Sequence, residues 1–167
     1  MAASIVILGA GCFWGVQDYF DQIPGVLETT VGYSGGHLPH PTYEAVCSGK
    51  TGHAEVVQIA YDASVLRLEV MLQHFFRMHD PTQHNRQGPD VGSQYRSILF
   101  YSNQAEQAIM ERIRTQQQAN HSDPIVTEIS PQQYFYPAEE YHQKFVQKTG
   151  RGSCHIPYQP LTSSEIG

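Results

Sequence analysis

The run Ile5-Val6-Ile7-Leu8 stops at Gly9-Ala10-Gly11, and Val16-Gln17-Asp18-Tyr19-Phe20 resumes at helical spacing. Short, β-branched and then 3.6-periodic, this stretch predicts a strand that turns directly into a helix. The junction, Gly11-Cys12-Phe13-Trp14-Gly15, holds a cysteine beside the only tryptophan of the chain. A helix N-terminus favours negative charge and lowers a thiol pKa, so Cys12 is placed where a reactive thiolate can form. The competing reading is an inert core thiol, since a cysteine in an apolar stretch behaves as a small hydrophobe.

Further along, Gly25 to Thr30 reads as a second strand, followed by the glycine-rich Gly32-Tyr33-Ser34-Gly35-Gly36 and the loop His37-Leu38-Pro39-His40-Pro41. Ala54 to Tyr61 reads as a strand, and Val70 to Phe76 as a helix that ends by Asp80-Pro81. A polar stretch from Pro81 to Tyr95 precedes a strand at Ser97 to Tyr101, a helix from Asn103 to Ala119 and a strand from Ile125 to Ile129. Pro137 looks like the first turn of another helix. From Gly150 onward periodicity is lost, which predicts a flexible tail over residues 150–167 behind a core of residues 1–149.

Strands alternating with helices, and a hairpin-like pair through the glycine-rich loop, favour an α+β sandwich over a doubly wound parallel sheet. At 167 residues and 40% hydrophobic composition the chain fits one domain with a real core. A net charge of -6 offers phosphates no basic patch, so nucleic acid is not an expected partner. No basic region precedes the first apolar run, which is too short for a secretory signal or a membrane span, so a cytosolic protein is expected. The thiols Cys12, Cys47 and Cys154 are odd in number and widely spread, unlike a disulfide framework. The lack of a coiled-coil heptad is consistent with a monomer.

Three patterns imitate other chemistries. Gly9, Gly11 and Gly15 follow a strand like a dinucleotide-binding turn, but Phe13 and Trp14 are bulky where the backbone must approach phosphate. Gly32-Tyr33-Ser34-Gly35-Gly36 matches a nucleophile elbow, although the chain is short for that hydrolase fold and a glycine turn explains it better. Nine histidines raise the question of a metal, yet neither His-Glu-x-x-His nor Cys-x-x-Cys occurs and no metal or other cofactor is expected.

The remaining polar candidates suit a thiol enzyme. Glu55 opens an apolar strand in Thr51-Gly52-His53-Ala54-Glu55-Val56-Val57, where it either faces solvent or is a buried acid able to donate a proton. The loop Gln87-Gly88-Pro89-Asp90-Val91-Gly92-Ser93-Gln94-Tyr95-Arg96 concentrates an acid, a phenol and a guanidinium on glycine turns. A plain Asp90–Arg96 ion pair is the alternative there. Tyr43 is one of ten tyrosines and gains interest only from its company.

Six segments carry a family resemblance. They are Gly11 to Gly15, Gly32 to Gly36, Tyr43-Glu44-Ala45-Val46-Cys47-Ser48-Gly49, Thr51 to Val56, Gly92 to Ser97, and Ala138-Glu139-Glu140-Tyr141-His142-Gln143. In this order and spacing the chain, from about residue 5 to 148, resembles peptide methionine sulfoxide reductases of the A type. The resemblance implies a ferredoxin-like α+β sandwich that reduces the S epimer of methionine sulfoxide, free or in proteins. It also implies Cys12 as nucleophile, Glu55 as acid, and Tyr43 and Tyr95 as hydrogen-bond donors. Phe13 and Trp14 would enclose the substrate methyl group, with Asp90 tying the polar loop. A sulfoxide sulfur is a poor electrophile until its oxygen is protonated or strongly hydrogen-bonded, so an acid and neutral donors beside a thiolate make chemical sense.

Attack by Cys12 would leave a sulfenic acid, which Cys154 would condense to a disulfide and thioredoxin would reduce. Cys47 is expected to be structural. Because the tail matches the family less well, direct reduction of the sulfenic acid by an external thiol stays open. So do two other functions, a module that binds oxidised methionine without reducing it and a nicotinamide-dependent oxidoreductase.

Overall fold

The computed structural model describes residues 3–151 and 157–162. The first apolar run forms β1 (Ser4–Ala10), and the chain turns through Gly11 into α1 (Phe13–Asp21). A φ of +94° at Gly11 lies in the left-handed region that glycine enters without steric penalty, and it allows the strand to become a helix within two residues. β2 (Val26–Ser34), the short α2 (Tyr43–Cys47), β3 (Ala54–Tyr61) and α3 (Leu68–Met78) follow. Two-residue strands β4 (Arg86–Gln87) and β5 (Asp90–Val91) form a separate ribbon. Next come β6 (Ser97–Tyr101), α4 (Gln104–Gln117), β7 (Glu128–Pro131), β8 (Tyr136–Pro137) and α5 (Phe145–Thr149).

Six strands make one mixed sheet in the order β7-β6-β1-β3-β2-β8. All neighbours pair antiparallel except β6 and β7, which run parallel. The β2–β3 hairpin spans the glycine-rich loop, as the sequence suggests, and the fold is α+β. Strand alternation divides the core. Val6, Leu8, Val31, Tyr33, Val57, Ile59 and Leu99 pack with Phe13, Val16, Tyr19 and Phe20 of α1, with Met71, Leu72, Phe75 and Phe76 of α3, and with Met110 and Ile113 of α4. Ile7, Ala54, Val56, Ile98 and Phe100 pack on the opposite face with Phe135. Parity along β3 therefore decides the fate of Glu55, because it shares a face with Val57 and Ile59 and must point under α1.

Three expectations need correction. β2 runs on to Ser34, through the stretch read as a glycine loop, because Gly32 and Tyr33 pair with both β3 and β8. The strand expected at Ile125 to Ile129 lies at Glu128–Pro131, where β6 supplies a parallel ladder. Pro137 does not start a helix. It sits in an edge strand opposite Gly32, the sheet position that tolerates a residue without an N–H, and the next amide, Ala138, donates to the Val31 carbonyl at 2.9 Å. The close passage of this edge requires Gly32: a Cβ there would lie 2.4 Å from the Tyr136 carbonyl and 2.5 Å from the Phe135 ring.

Beyond residue 150, Tyr158 packs against the core, its ring 5.5 Å from that of Tyr19 and 5.6 Å from that of His74. Among the described residues, no helix is long and apolar enough to cross a membrane.

Candidate functional site

Cys12 occupies the N-cap of α1, partly exposed, with its carbonyl accepting from Val16 N–H at 3.4 Å. Its sulfur thus sits at the positive end of a nine-residue helix. The next amide, Phe13 N–H, donates to Glu55 Oε1 at 3.1 Å. Glu55 is 1% exposed, so the carboxyl of β3 is sealed against the same helix terminus that carries the thiol. The occupied terminus also speaks against a pyrophosphate after Gly9 and Gly11, since Glu55 already holds the amide that would grip it.

Two tyrosines flank this pair. Tyr43 opens α2, and burial, then the Glu55 charge, push its phenol above the ordinary value of 10.0. Tyr95 ends a short 3-10 turn, Ser93–Tyr95, and its phenol is raised by burial first, then by the charges of Glu55, Cys47, Asp90 and Cys12. Both hydroxyls therefore stay protonated at neutral pH and remain donors. Asp90 reaches this neighbourhood through the β4–β5 ribbon, close enough for Tyr95 to feel its charge. The expected alternative partner of Asp90, Arg96, instead donates to the Ser93 carbonyl at 2.9 Å and faces Glu128 at 3.6 Å.

Aromatic rings wall the other side. Phe13 is buried against Tyr33, Tyr43 and His142, with ring centroids 5.7, 6.2 and 5.3 Å away. Trp14 stacks on Phe145 at 3.9 Å, and its indole Nε1 donates to His142 Nδ1 at 2.8 Å. An apolar face thus meets an acid, two phenols and a thiol, an arrangement able to seat a small group with one polar end and one methyl end.

A further set of residues braces these side chains, and none had an individual role in the sequence reading. Glu139 accepts the Tyr33 hydroxyl at 2.8 Å and the Tyr43 N–H at 3.0 Å. Burial pushes its carboxyl up, but those bonds and the neighbouring His142 outweigh it, leaving the pKa below the usual 4.5 and the group ionised. His142 is 1% exposed, and burial drives its pKa below 6.5 against the pull of Glu139. The neutral ring accepts from Trp14 at Nδ1, so its proton resides on Nε2, a buried atom with no hydrogen-bond partner among the described residues. Both residues lie in Ala138-Glu139-Glu140-Tyr141-His142-Gln143, a segment that carries the family resemblance without marking a role for either.

Cys47 is the other surprise. It closes α2 exposed rather than buried, and partial enclosure raises its thiol pKa although a hydrogen bond with Tyr43 pulls it down. Ser34, at the elbow-like glycine cluster, is spent on the Tyr134 carbonyl at 2.9 Å. Among the described residues, no group of three or more His, Cys, Asp or Glu is placed to hold a metal ion. The expected resolving residue, Cys154, lies outside the described residues.

Three comparisons bear on this geometry. The family model for peptide methionine sulfoxide reductase matches residues 4–166. The peptide methionine sulfoxide reductase MsrA of Alkaliphilus metalliredigens is 48% identical over 151 residues, 90% of this chain and 96% of that protein. The reduced form of Mxr1 from Saccharomyces cerevisiae superposes with a TM-score of 0.89 at 36% identity, covering 95% of this chain and 93% of the yeast chain. The same yeast protein in complex with Trx2 gives a TM-score of 0.65 at 26% identity, over 95% and 91% of the two chains.

Proposed function

The chain belongs to the peptide methionine sulfoxide reductase family and reduces methionine sulfoxide to methionine, and from that premise we propose how its residues divide the work. Cys12 is the nucleophile. With substrate bound, the negative charge on the Cys12 sulfur and the burial of Glu55 disfavour a second charge beside it, so Glu55 keeps its proton and gives it to the sulfoxide oxygen. Tyr43 and Tyr95, held neutral, donate to that oxygen while charge builds on it. Phe13 and Trp14 hold the methyl group, and Asp90 orders the Tyr95 loop.

The thiolate attacks sulfur and forms an S–S bond while the S–O bond breaks and the oxygen, protonated by Glu55, departs as hydroxide; hydroxide then attacks the Cys12 sulfur, the S–S bond breaks, and methionine leaves as Cys12 becomes a sulfenic acid. Condensation with the Cys154 thiol releases water and forms a disulfide, which a thioredoxin-type dithiol reduces by exchange. The yeast relative in complex with Trx2 supports that last step. We place the protein in the cytoplasm as a monomer of one domain, with the S epimer, free or protein-bound, as substrate.

The observation that carries this reading is the sharing of one helix terminus by Cys12 and buried Glu55. Reduced protein is incubated with separated S and R epimers of a blocked methionine sulfoxide, without external reductant. About one methionine per chain from the S epimer alone, with two thiols lost, is expected. No methionine from either epimer overturns the reading in favour of a binding module.

A further inference from the structure

The segment 157–162 lies on a polar cradle built by α1 and α3. Tyr19 and His74, 2% and 3% exposed, join through the Tyr19 hydroxyl and His74 Nδ1 at 2.7 Å. Arg77 donates to the Tyr19 hydroxyl at 2.8 Å and also to the Gln159 carbonyl. Tyr158 stacks on the His74 ring, 23° from parallel, and meets Tyr19 edge-on. Two rings and one guanidinium therefore fix both the side chain of residue 158 and the backbone of residue 159. None of these four residues has a part in the chemistry assigned above.

Tyr19 lies on the same helix that Cys12 caps, seven residues or about 10 Å along its axis. The other end of the segment is fixed to that helix too. Phe145 of α5 stacks on Trp14, and α5 ends at Gly150 in a left-handed cap whose N–H donates to the Val146 carbonyl at 2.7 Å. Position 154 is four residues from each anchor.

We propose that Tyr158, seated on Tyr19, His74 and Arg77, is a positioning residue for the resolving thiol, fixing the downstream end of the Cys154 segment on the helix whose N-cap is Cys12. The proposal rests on the assignment of Cys154 as resolving cysteine. Fixing the second end raises the local concentration of the Cys154 thiol at Cys12, where it displaces hydroxide from the sulfenic acid; a proton joins the leaving group as water and the S–S bond forms. Attack on the sulfoxide precedes this step and does not need the tail.

The test is a single turnover of the full chain with one equivalent of blocked methionine S-sulfoxide and no reductant. Methionine release, loss of thiols and trapping of the sulfenic acid by a 1,3-diketone are followed together. In Tyr158→Ala, methionine forms at the wild-type rate, which also reports a folded site, while loss of the second thiol slows roughly tenfold and the trapped adduct accumulates. Tyr158→Phe keeps the ring and restores the wild-type rate. Wild-type thiol loss in Tyr158→Ala, alongside accumulation of adduct in Cys154→Ser, overturns the anchor and leaves Cys154 as the resolver. Wild-type loss of two thiols in Cys154→Ser overturns the resolver and the anchor with it.

Discussion

The indole Nε1 of Trp14 donates to His142 Nδ1 at 2.8 Å, across 128 residues of sequence. The bond fixes the plane of the ring we assign to the substrate methyl group and leaves the proton of a neutral imidazole on Nε2. His142→Phe keeps the packing against Phe13 and Tyr43 but orphans the indole N–H, a loss of about 1–3 kcal/mol. We expect KM for the blocked S-sulfoxide to rise roughly tenfold. The rate of thiol loss after methionine release should not change. An unaltered KM would show that ring contacts hold Trp14 without this bond.

The same histidine makes stability depend on pH. Its folded pKa is depressed by burial below the 6.5 of an unfolded chain. The unfolded state therefore binds the proton more readily, so the contribution of neutral His142 is complete above pH 6.5 and is lost progressively as pH falls below it. The melting temperature should fall between pH 7 and pH 5 more steeply in the wild type than in His142→Phe. Parallel curves would mean that other groups govern the acid limb.

Tyr43 and Tyr95 both have phenols raised above 10.0, so neither loses its proton at mildly alkaline pH. In Glu55→Gln, where no carboxyl acid titrates beside the phenols, the single-turnover rate should show no descending limb up to pH 10, where an ordinary phenol would be half ionised. Tyr43→Phe and Tyr95→Phe should each slow methionine release, by roughly ten- to a hundredfold, because each removes one donor aimed at developing charge. A descending limb centred near pH 9 in Glu55→Gln, or a double tyrosine variant no slower than either single one, would contradict two neutral donors.

Much of this site is legible in the chain because its parts lie on regular elements with readable parity. The strand-to-helix turn at Gly11 places Cys12 at an N-cap, and the choice that the sequence leaves open for Glu55, solvent or burial, is decided by its sharing a face of β3 with Val57 and Ile59. Glu139 and His142 are not legible in this way. They reach Tyr43 and Trp14 because Tyr136–Pro137 adds an edge strand to β2, and two residues of strand carry no periodicity. Proline misleads there, since its helix-start and edge-strand preferences rest on the same missing N–H. Cys47 misleads in another way. Cysteine is buried by habit, yet α2 ends at the rim of the site and leaves this one exposed.

Glu55→Gln separates the acid from the brace. The amide oxygen of glutamine can still accept the Phe13 N–H, so α1 should keep its place and the melting temperature should stay within a few degrees. Proton donation is lost, and methionine release should slow by roughly a hundredfold or more. Full activity in this variant would remove Glu55 as the acid. A collapse of the fold would mark the carboxyl as structural first.

Gly32→Ala tests whether the edge strand holds the site together. The added methyl has nowhere to go, with the Tyr136 carbonyl 2.4 Å away and two atoms of the Phe135 ring at 2.5 and 2.6 Å. Two of these neighbours belong to a packed ring and one to the backbone, so β8 must move rather than a flexible side chain. Overpacking of this kind costs about 1–3 kcal/mol, and at roughly 2–4 °C per kcal/mol the melting temperature should fall accordingly. Displacing β8 also moves Glu139 and His142, which follow it directly, away from Tyr43 and Trp14. The variant should therefore lose substrate affinity as well as stability, with KM raised more than kcat is lowered, because the chemistry of Cys12 and Glu55 rests on β1, β3 and α1. A variant that melts lower but keeps its KM would show that residues 139–142 hold their positions without β8.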